Sequence, residues 1–96
     1  MKKFVLIYNG YQEPTPEVMS AWMTWFATVG DRIVDSGNPF GAGREVTTTG
    51  SRDITADPTR ATGYSIVNAD SMEDAERLLQ GCPVTDGVRI YEAMAM

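Results

Sequence analysis

The sequence predicts a single α+β domain in which strands and helices follow one another in the order βαββαβ. Residues 3–9 and 63–69 are rich in β-branched and aromatic side chains, which is typical of buried strands. Between residues 18 and 33, apolar residues recur at steps of three and four, which indicates an amphipathic helix. With 96 residues, the chain has enough material for one hydrophobic core.

The first predicted strand and the longer predicted helix lie in the first half of the chain. The strand, residues 3–9, reads KFVLIYN and ends in an Asn-Gly pair that favours a turn. Thr15 is a candidate helix N-cap, Pro16 suits the first helical position, and Glu17 places an acid in the first turn. The apolar stripe of this helix consists of Val18, Trp22, Trp25, Phe26, Val29 and Ile33. The helix is predicted to end near residues 36–37, where glycine can adopt a left-handed cap.

The second half of the chain supplies the remaining elements. Residues 44–49 are the one strand-like run in a stretch rich in Gly, Pro and Asp, and they are predicted to form the second strand. The third strand is predicted at residues 63–69 and the last at residues 88–96. Between these two strands, Ser71 and Asp74 have the spacing of a capping box and predict a short second helix.

This order of elements is typical of a ferredoxin-like sandwich, with a four-stranded antiparallel sheet and both helices on one face. The first strand is apolar on both sides, since Phe4, Leu6 and Tyr8 alternate with Val5 and Ile7. Two helices can cover only one of these faces. We therefore expect the other face to be covered by the sheet of a second copy, giving a homodimer.

Charge and composition narrow the range of partners. The net charge of −5 and the pI near 4.5 disfavour nucleic acid and anionic membrane surfaces as partners. No segment reaches the length of about 20 apolar residues that a membrane span needs. The single cysteine, Cys82, cannot form an intramolecular disulfide, so a reducing cytoplasm is the expected location.

No cofactor is expected from the motifs of the sequence. The glycines form neither of the common phosphate-binding fingerprints, and a chain with one cysteine and no histidine is a poor candidate for a zinc site. An RNA-recognition module has the same order of elements, and Gly63, Tyr64 and Val67 match its third-strand signature. The leading basic residue and the later aromatic residues of that signature are missing, so this class is disfavoured.

The segment AWMTWF, residues 21–26, gives the first candidate site. Trp22, Trp25 and Phe26 lie on the apolar stripe of the predicted helix, and aromatic residues at this spacing are most often part of the core. Alternatively, one indole lines a pocket between the helix and the sheet, where its N–H could bind a ligand. Met19 and Met23 are adaptable side chains for such a surface.

Glu92 is the second candidate, because alternation along the last strand places its carboxylate on an otherwise apolar face. Desolvation there would raise the pKa of Glu92 towards values that suit a general base. The alternative is a structural ion pair with an arginine such as Arg44, or a contact at the rim of a dimer. Tyr8 lies on the corresponding face of the first strand, where it is either a hydrogen-bond partner of Glu92 or, as is more common, an amphipathic tyrosine of the core.

Four segments of the chain resemble the YCII-related family, which includes the DGPF-type proteins. They read YNG, QEPTPEVMSAWMTWF, GDRIVDSGNPFG and VRIYEAM, and together they span almost the whole chain. The resemblance implies a ferredoxin-like subunit that pairs as a dimeric α+β barrel, and a lyase or isomerase activity that depends on a His-Asp pair. This chain has no histidine; the matching part of the helix offers only Ser20, and the position of the aspartate falls near Arg44.

Two functional classes follow from these observations. The first is a small-molecule-binding protein, with or without cofactor-free isomerase- or lyase-like activity, whose pocket lies between the longer helix and the sheet. In this hypothesis Tyr8, Trp22, Trp25 and Arg44 bind the ligand, Arg44 meets a ligand carboxylate, and Glu92 is the general base. The second class is a noncatalytic homodimer that serves as an accessory or regulatory module, which the missing His-Asp pair favours.

Overall fold

The computed structural model describes residues 1–10, 13–56, 59–84 and 86–95. These residues form a mixed α+β structure with a four-stranded antiparallel sheet, as predicted. The elements are β1 (Lys2–Asn9), α1 (Pro16–Val29), β2 (Ile33–Asp35), β3 (Arg44–Thr47), β4 (Gly50–Asp53), β5 (Ala61–Ala69), α2 (Met72–Arg77) and β6 (Val88–Ala93). The order in the sheet is β2-β5-β1-β6, which is compatible with a ferredoxin-like fold.

Both predicted helix starts are confirmed. The Thr15 hydroxyl accepts a hydrogen bond from the Val18 amide at 3.2 Å, and Pro16 occupies the first turn of α1. The Ser71 hydroxyl accepts a hydrogen bond from the Asp74 amide at 3.1 Å and caps α2 in the same way. Each cap satisfies a backbone donor that has no partner within its helix, so each helix begins where its capping residue lies.

The predicted end of the first helix is wrong, and so is the prediction that residues 44–49 supply the second strand of the main sheet. Helix α1 ends at Val29, because Gly30 adopts a positive φ of 63° and its amide donates to the Phe26 carbonyl. A 3-10 turn at Gly30–Arg32 follows, and Ile33 then begins strand β2, which pairs with β5. The spacing of Ile33 also suits the helical stripe, which is why the pattern assigned it to the helix.

Of residues 44–49, which were predicted as the second strand, Arg44–Thr47 do form a strand, but it lies outside the main sheet. Strand β3 pairs with β4 to make a separate two-stranded hairpin, with Arg44 opposite Asp53 and Glu45 opposite Arg52. Every residue of both strands is exposed to solvent. The Arg44 Nε donates to Asp53 Oδ1 at 3.1 Å, and such exposed ion pairs stabilise a fold only slightly.

The Asp74 carboxylate connects helix α2 to the 3-10 turn that precedes β2. This group accepts hydrogen bonds from the Asp70 amide and from the Arg32 guanidinium, and it also pairs with Arg77. The Asp70 amide, and next the Arg32 guanidinium, lower the pKa of Asp74. Arg32 donates in addition to the Asn68 carbonyl at 2.9 Å, so a single arginine connects the 3-10 turn before β2 with β5 and α2.

The core lies between the sheet and the two helices. Its buried residues are Phe4, Leu6, Tyr8, Trp25, Val29, Val67, Ala69 and Ala75. The opposite face of the sheet has Val5, Ile7 and Ile66 at its centre, and Tyr91 on this face is 55% exposed. The chain is thin, with a smallest extent of 18 Å. The prediction that the helices leave one face of the sheet uncovered by this chain is therefore confirmed.

The last strand is shorter than the predicted range of residues 88–96. Strand β6 ends at Ala93, and residue 96 lies outside the described residues. Within the described ranges, neither helix has the length and apolar character needed to cross a membrane.

Candidate binding site

A cavity of about 610 Å³ lies where the end of β1 and the start of β5 meet α1. Its volume is within the range of about 300 to 1,000 Å³ that is common for small-molecule sites. The apolar part of its wall includes Tyr8, Val18, Met19, Trp22, Phe26 and Val84. The polar part includes Asn9, Asn38, Arg60 and Thr62, and the segment 36–40 closes one side.

The aromatic side chains of the wall support one another. The Trp22 ring packs edge-on against Tyr8, with 4.9 Å between ring centroids, and lies 5.8 Å from the Phe26 ring. Trp25 lies behind Trp22, also edge-on, at a centroid distance of 5.8 Å. Trp22 is half-buried and Trp25 is 2% exposed, so Trp22 lines the cavity and Trp25 belongs to the core.

A short chain of hydrogen bonds fixes the polar end of Tyr8. The Tyr8 hydroxyl donates to Ser65 Oγ at 2.8 Å, and Ser65 Oγ donates to the Ser36 carbonyl at 2.7 Å. Because the phenolic proton is used in this way, the Tyr8 oxygen is oriented to accept a hydrogen bond. Burial of the phenol raises its pKa, so Tyr8 is neutral at physiological pH.

Arg60 is the only charged residue of this wall among the described residues. It is half-buried, and its Nη2 atom donates to the Gly41 carbonyl. Its own carbonyl accepts a hydrogen bond from the Gly10 amide at 3.0 Å, which joins the start of β5 to the turn after β1. The described wall of the cavity therefore carries one cation and no carboxylate.

The structure brings together two of the five predicted site residues, Tyr8 and Trp22, at the cavity. Trp25 lies outside the wall, and its indole N–H donates to the Leu78 carbonyl at 2.8 Å. Arg44 lies in the exposed hairpin, paired with Asp53. Arg60, which the sequence patterns did not single out, takes the place at the cavity that had been expected for Arg44.

Glu92 lies at the other end of the sheet from Tyr8. The register of β1 and β6 places Glu92 opposite Phe4, whereas Tyr8 is opposite Val88. Alternation correctly predicted the face on which Glu92 lies. Its carboxylate is 4.0 Å from the Lys2 ammonium, so the structure pairs Glu92 with a lysine of the neighbouring strand and not with Arg44.

Cys82 lies close to the same core as a half-buried thiol. Burial raises its pKa to about 12, which keeps the thiol protonated and poorly nucleophilic near neutral pH. Among the described residues, no group of three His, Cys, Asp or Glu side chains is placed to hold a metal ion.

Comparisons of the chain with protein-family models, with curated proteins and with solved structures give no match.

Proposed function

We propose that this protein binds a compact, largely apolar small molecule in the cavity beside Trp22. The observation that carries this proposal is the cavity itself, about 610 Å³ in volume, with a half-buried indole supported by Tyr8 and Phe26. Small-molecule sites typically combine such an apolar, aromatic wall with a few polar groups that orient the ligand. Here Tyr8 supplies a hydrogen-bond acceptor and Arg60 supplies a cationic hydrogen-bond donor.

The chemistry of the wall favours binding over acid-base catalysis. A general base works best when its pKa lies near the operating pH. The phenol of Tyr8 and the thiol of Cys82 are both kept neutral by burial, and a guanidinium such as that of Arg60 does not lose its proton in proteins. The chain has no histidine, and Glu92 lies at the far end of the sheet. The proposal therefore makes the protein a binding module.

The proposal is tested with N-phenyl-1-naphthylamine, a neutral aromatic probe whose fluorescence rises in apolar sites. Saturable binding of one probe per chain is expected. Replacing Trp22 with alanine is expected to weaken binding about tenfold, since loss of an aromatic contact costs about 1.5 kcal/mol.

Val46→Ala is the matched control, because Val46 is 75% exposed in the hairpin and its loss removes apolar surface away from the cavity. Circular dichroism checks that each variant is folded. Non-saturable binding, or equal affinity in the wild type and Trp22→Ala, would contradict the proposal.

We also propose that the protein is a homodimer whose sheets pack face to face, as in the YCII-related family that it resembles. The apolar centre formed by Val5, Ile7 and Ile66 supports this assembly. Asp35 on the edge strand β2 and Arg89 on the opposite edge strand β6 share this face, so a two-fold arrangement can bring opposite charges together.

Sedimentation velocity tests the proposed assembly. A species of twice the chain mass of 10.5 kDa is expected, and Ile7→Asp is expected to convert it to a monomer by placing a charge at the centre of the interface. Lys3→Asp is the control, since Lys3 lies on the same face but at the exposed end of β1. A wild-type monomer at micromolar concentration would exclude the homodimer.

A further inference from the structure

Arg60 differs from most other arginines of the chain in its electrostatic partners. Among the described residues, Arg32 and Arg77 pair with Asp74, Arg44 pairs with Asp53, and Arg52 pairs with Glu45. None of the ion pairs found within the described part of the chain includes Arg60, although this side chain is half-buried beside an apolar cavity. A guanidinium on an apolar cavity wall is well placed to pair with an anionic group of a ligand.

The guanidinium of Arg60 is anchored to the backbone of the segment that precedes β3. One nitrogen of Arg60 donates to the Gly41 carbonyl, and the Arg60 backbone is held by the Gly10 amide. A guanidinium has five N–H donors, so this anchoring leaves donors for a second partner. Its planar shape matches a carboxylate, which can accept two parallel hydrogen bonds from it.

We infer that the ligand of this cavity is an aromatic carboxylate, whose ring packs beside Trp22 and whose carboxylate pairs with Arg60. This inference rests on the proposed function and adds the charge of the ligand. A single cation in the described wall matches a singly charged acid better than a phosphate ester, which carries close to two charges at neutral pH. Since the whole chain carries a charge of −5, the attraction for an anion has to be local.

The test compares two probes of nearly the same shape, naphthalene-2-carboxylate and the neutral naphthalene-2-carboxamide. Their binding to the wild-type protein is measured directly by isothermal titration calorimetry. The carboxylate is expected to bind at least tenfold more tightly than the carboxamide. In Arg60→Gln, the carboxylate and the carboxamide are expected to bind with equal affinity.

Two further variants separate the local charge from other causes. Arg52→Gln removes the same charge from the exposed hairpin and is expected to keep the preference for the carboxylate. Arg60→Lys keeps the charge and is expected to retain part of the preference. If Arg60→Gln bound none of the probes, Arg60→Lys would be the deciding variant. Loss of the preference for the carboxylate over the carboxamide in Arg60→Lys would then contradict the proposed pairing of Arg60 with the carboxylate.

The outcomes distinguish this inference from the proposed function. If N-phenyl-1-naphthylamine binds but the carboxylate binds no better than the carboxamide, the inference is overturned and the apolar binding site stands. If the carboxylate preference persists in Arg60→Gln, Arg60 is not the anion-binding residue and the inference is again overturned. If none of the three probes binds the wild type, both the site and the inference are wrong.

Discussion

Replacing Trp25 with alanine is expected to remove a large part of the stability of this protein. Trp25 is 2% exposed and packs against Tyr8, Trp22 and Phe26, with centroid distances of 6.4, 5.8 and 5.1 Å. Truncation of a buried tryptophan to alanine costs about 3 to 5 kcal/mol, and small domains have a free energy of unfolding of about 5 to 15 kcal/mol. The Leu78 carbonyl would also lose the indole N–H that it accepts at 2.8 Å.

Urea denaturation of three variants separates these contributions. Trp25→Phe keeps an aromatic ring but removes the N–H, and it is expected to lose less stability than Trp25→Ala. Trp22→Ala, at the half-buried neighbour, is expected to cost less than Trp25→Ala because part of its ring faces the cavity. If Trp22→Ala were the more destabilising of the two, the assignment of Trp25 to the core and Trp22 to the cavity wall would be wrong.

Substitution of Gly37 by alanine is expected to have the second large effect. Gly37 has a φ of +80°, and a Cβ atom there would overlap the backbone carbonyl of Tyr64. Backbone atoms of a strand cannot move aside as a flexible side chain can. The left-handed conformation and the overlap together are expected to cost about 2 to 5 kcal/mol. The substitution would also displace the segment that closes one side of the cavity.

Gly81→Ala is the matched control for this substitution. Gly81 has a nearly identical φ of +84°, but a Cβ atom there would meet no atom within 4 Å. It should therefore cost only the conformational strain, about 1 to 2 kcal/mol. The two variants are compared by thermal unfolding followed by circular dichroism. Equal losses of stability would show that the contact between Gly37 and Tyr64 does not constrain the fold.

Local signals predicted the positions of most elements. The caps at Thr15 and Ser71 depend on side chains that bond to amides three residues away, and this spacing is visible in the sequence. The second strand could not be found in this way. Ile33 satisfies the spacing of a helix as well as the composition of a strand, and only the conformation of Gly30 and the pairing with β5 decide between them.

The sequence predicted only part of the candidate site, because periodicity and alternation leave the exact position of a residue open. Trp22 and Trp25 lie three residues apart on one stripe, so periodicity cannot say which indole reaches a cavity and which donates to Leu78. Similarly, alternation gives the face of a strand but not the end of the sheet at which a residue lies. For this reason the sequence placed Glu92 at the same site as Tyr8. The register puts the two residues at opposite ends of the sheet.

The hairpin of β3 and β4 makes this protein suited to carry an inserted peptide. All residues of both strands are exposed, and a two-stranded ribbon contributes little to the stability of the rest of the chain. Its turn is held by the Thr47 hydroxyl, which donates to the Gly50 carbonyl at 3.1 Å. An epitope or a fluorescent reporter placed between Thr47 and Gly50 would leave the core and its hydrogen bonds intact. The protein can thus be immobilised or labelled at a point remote from its core.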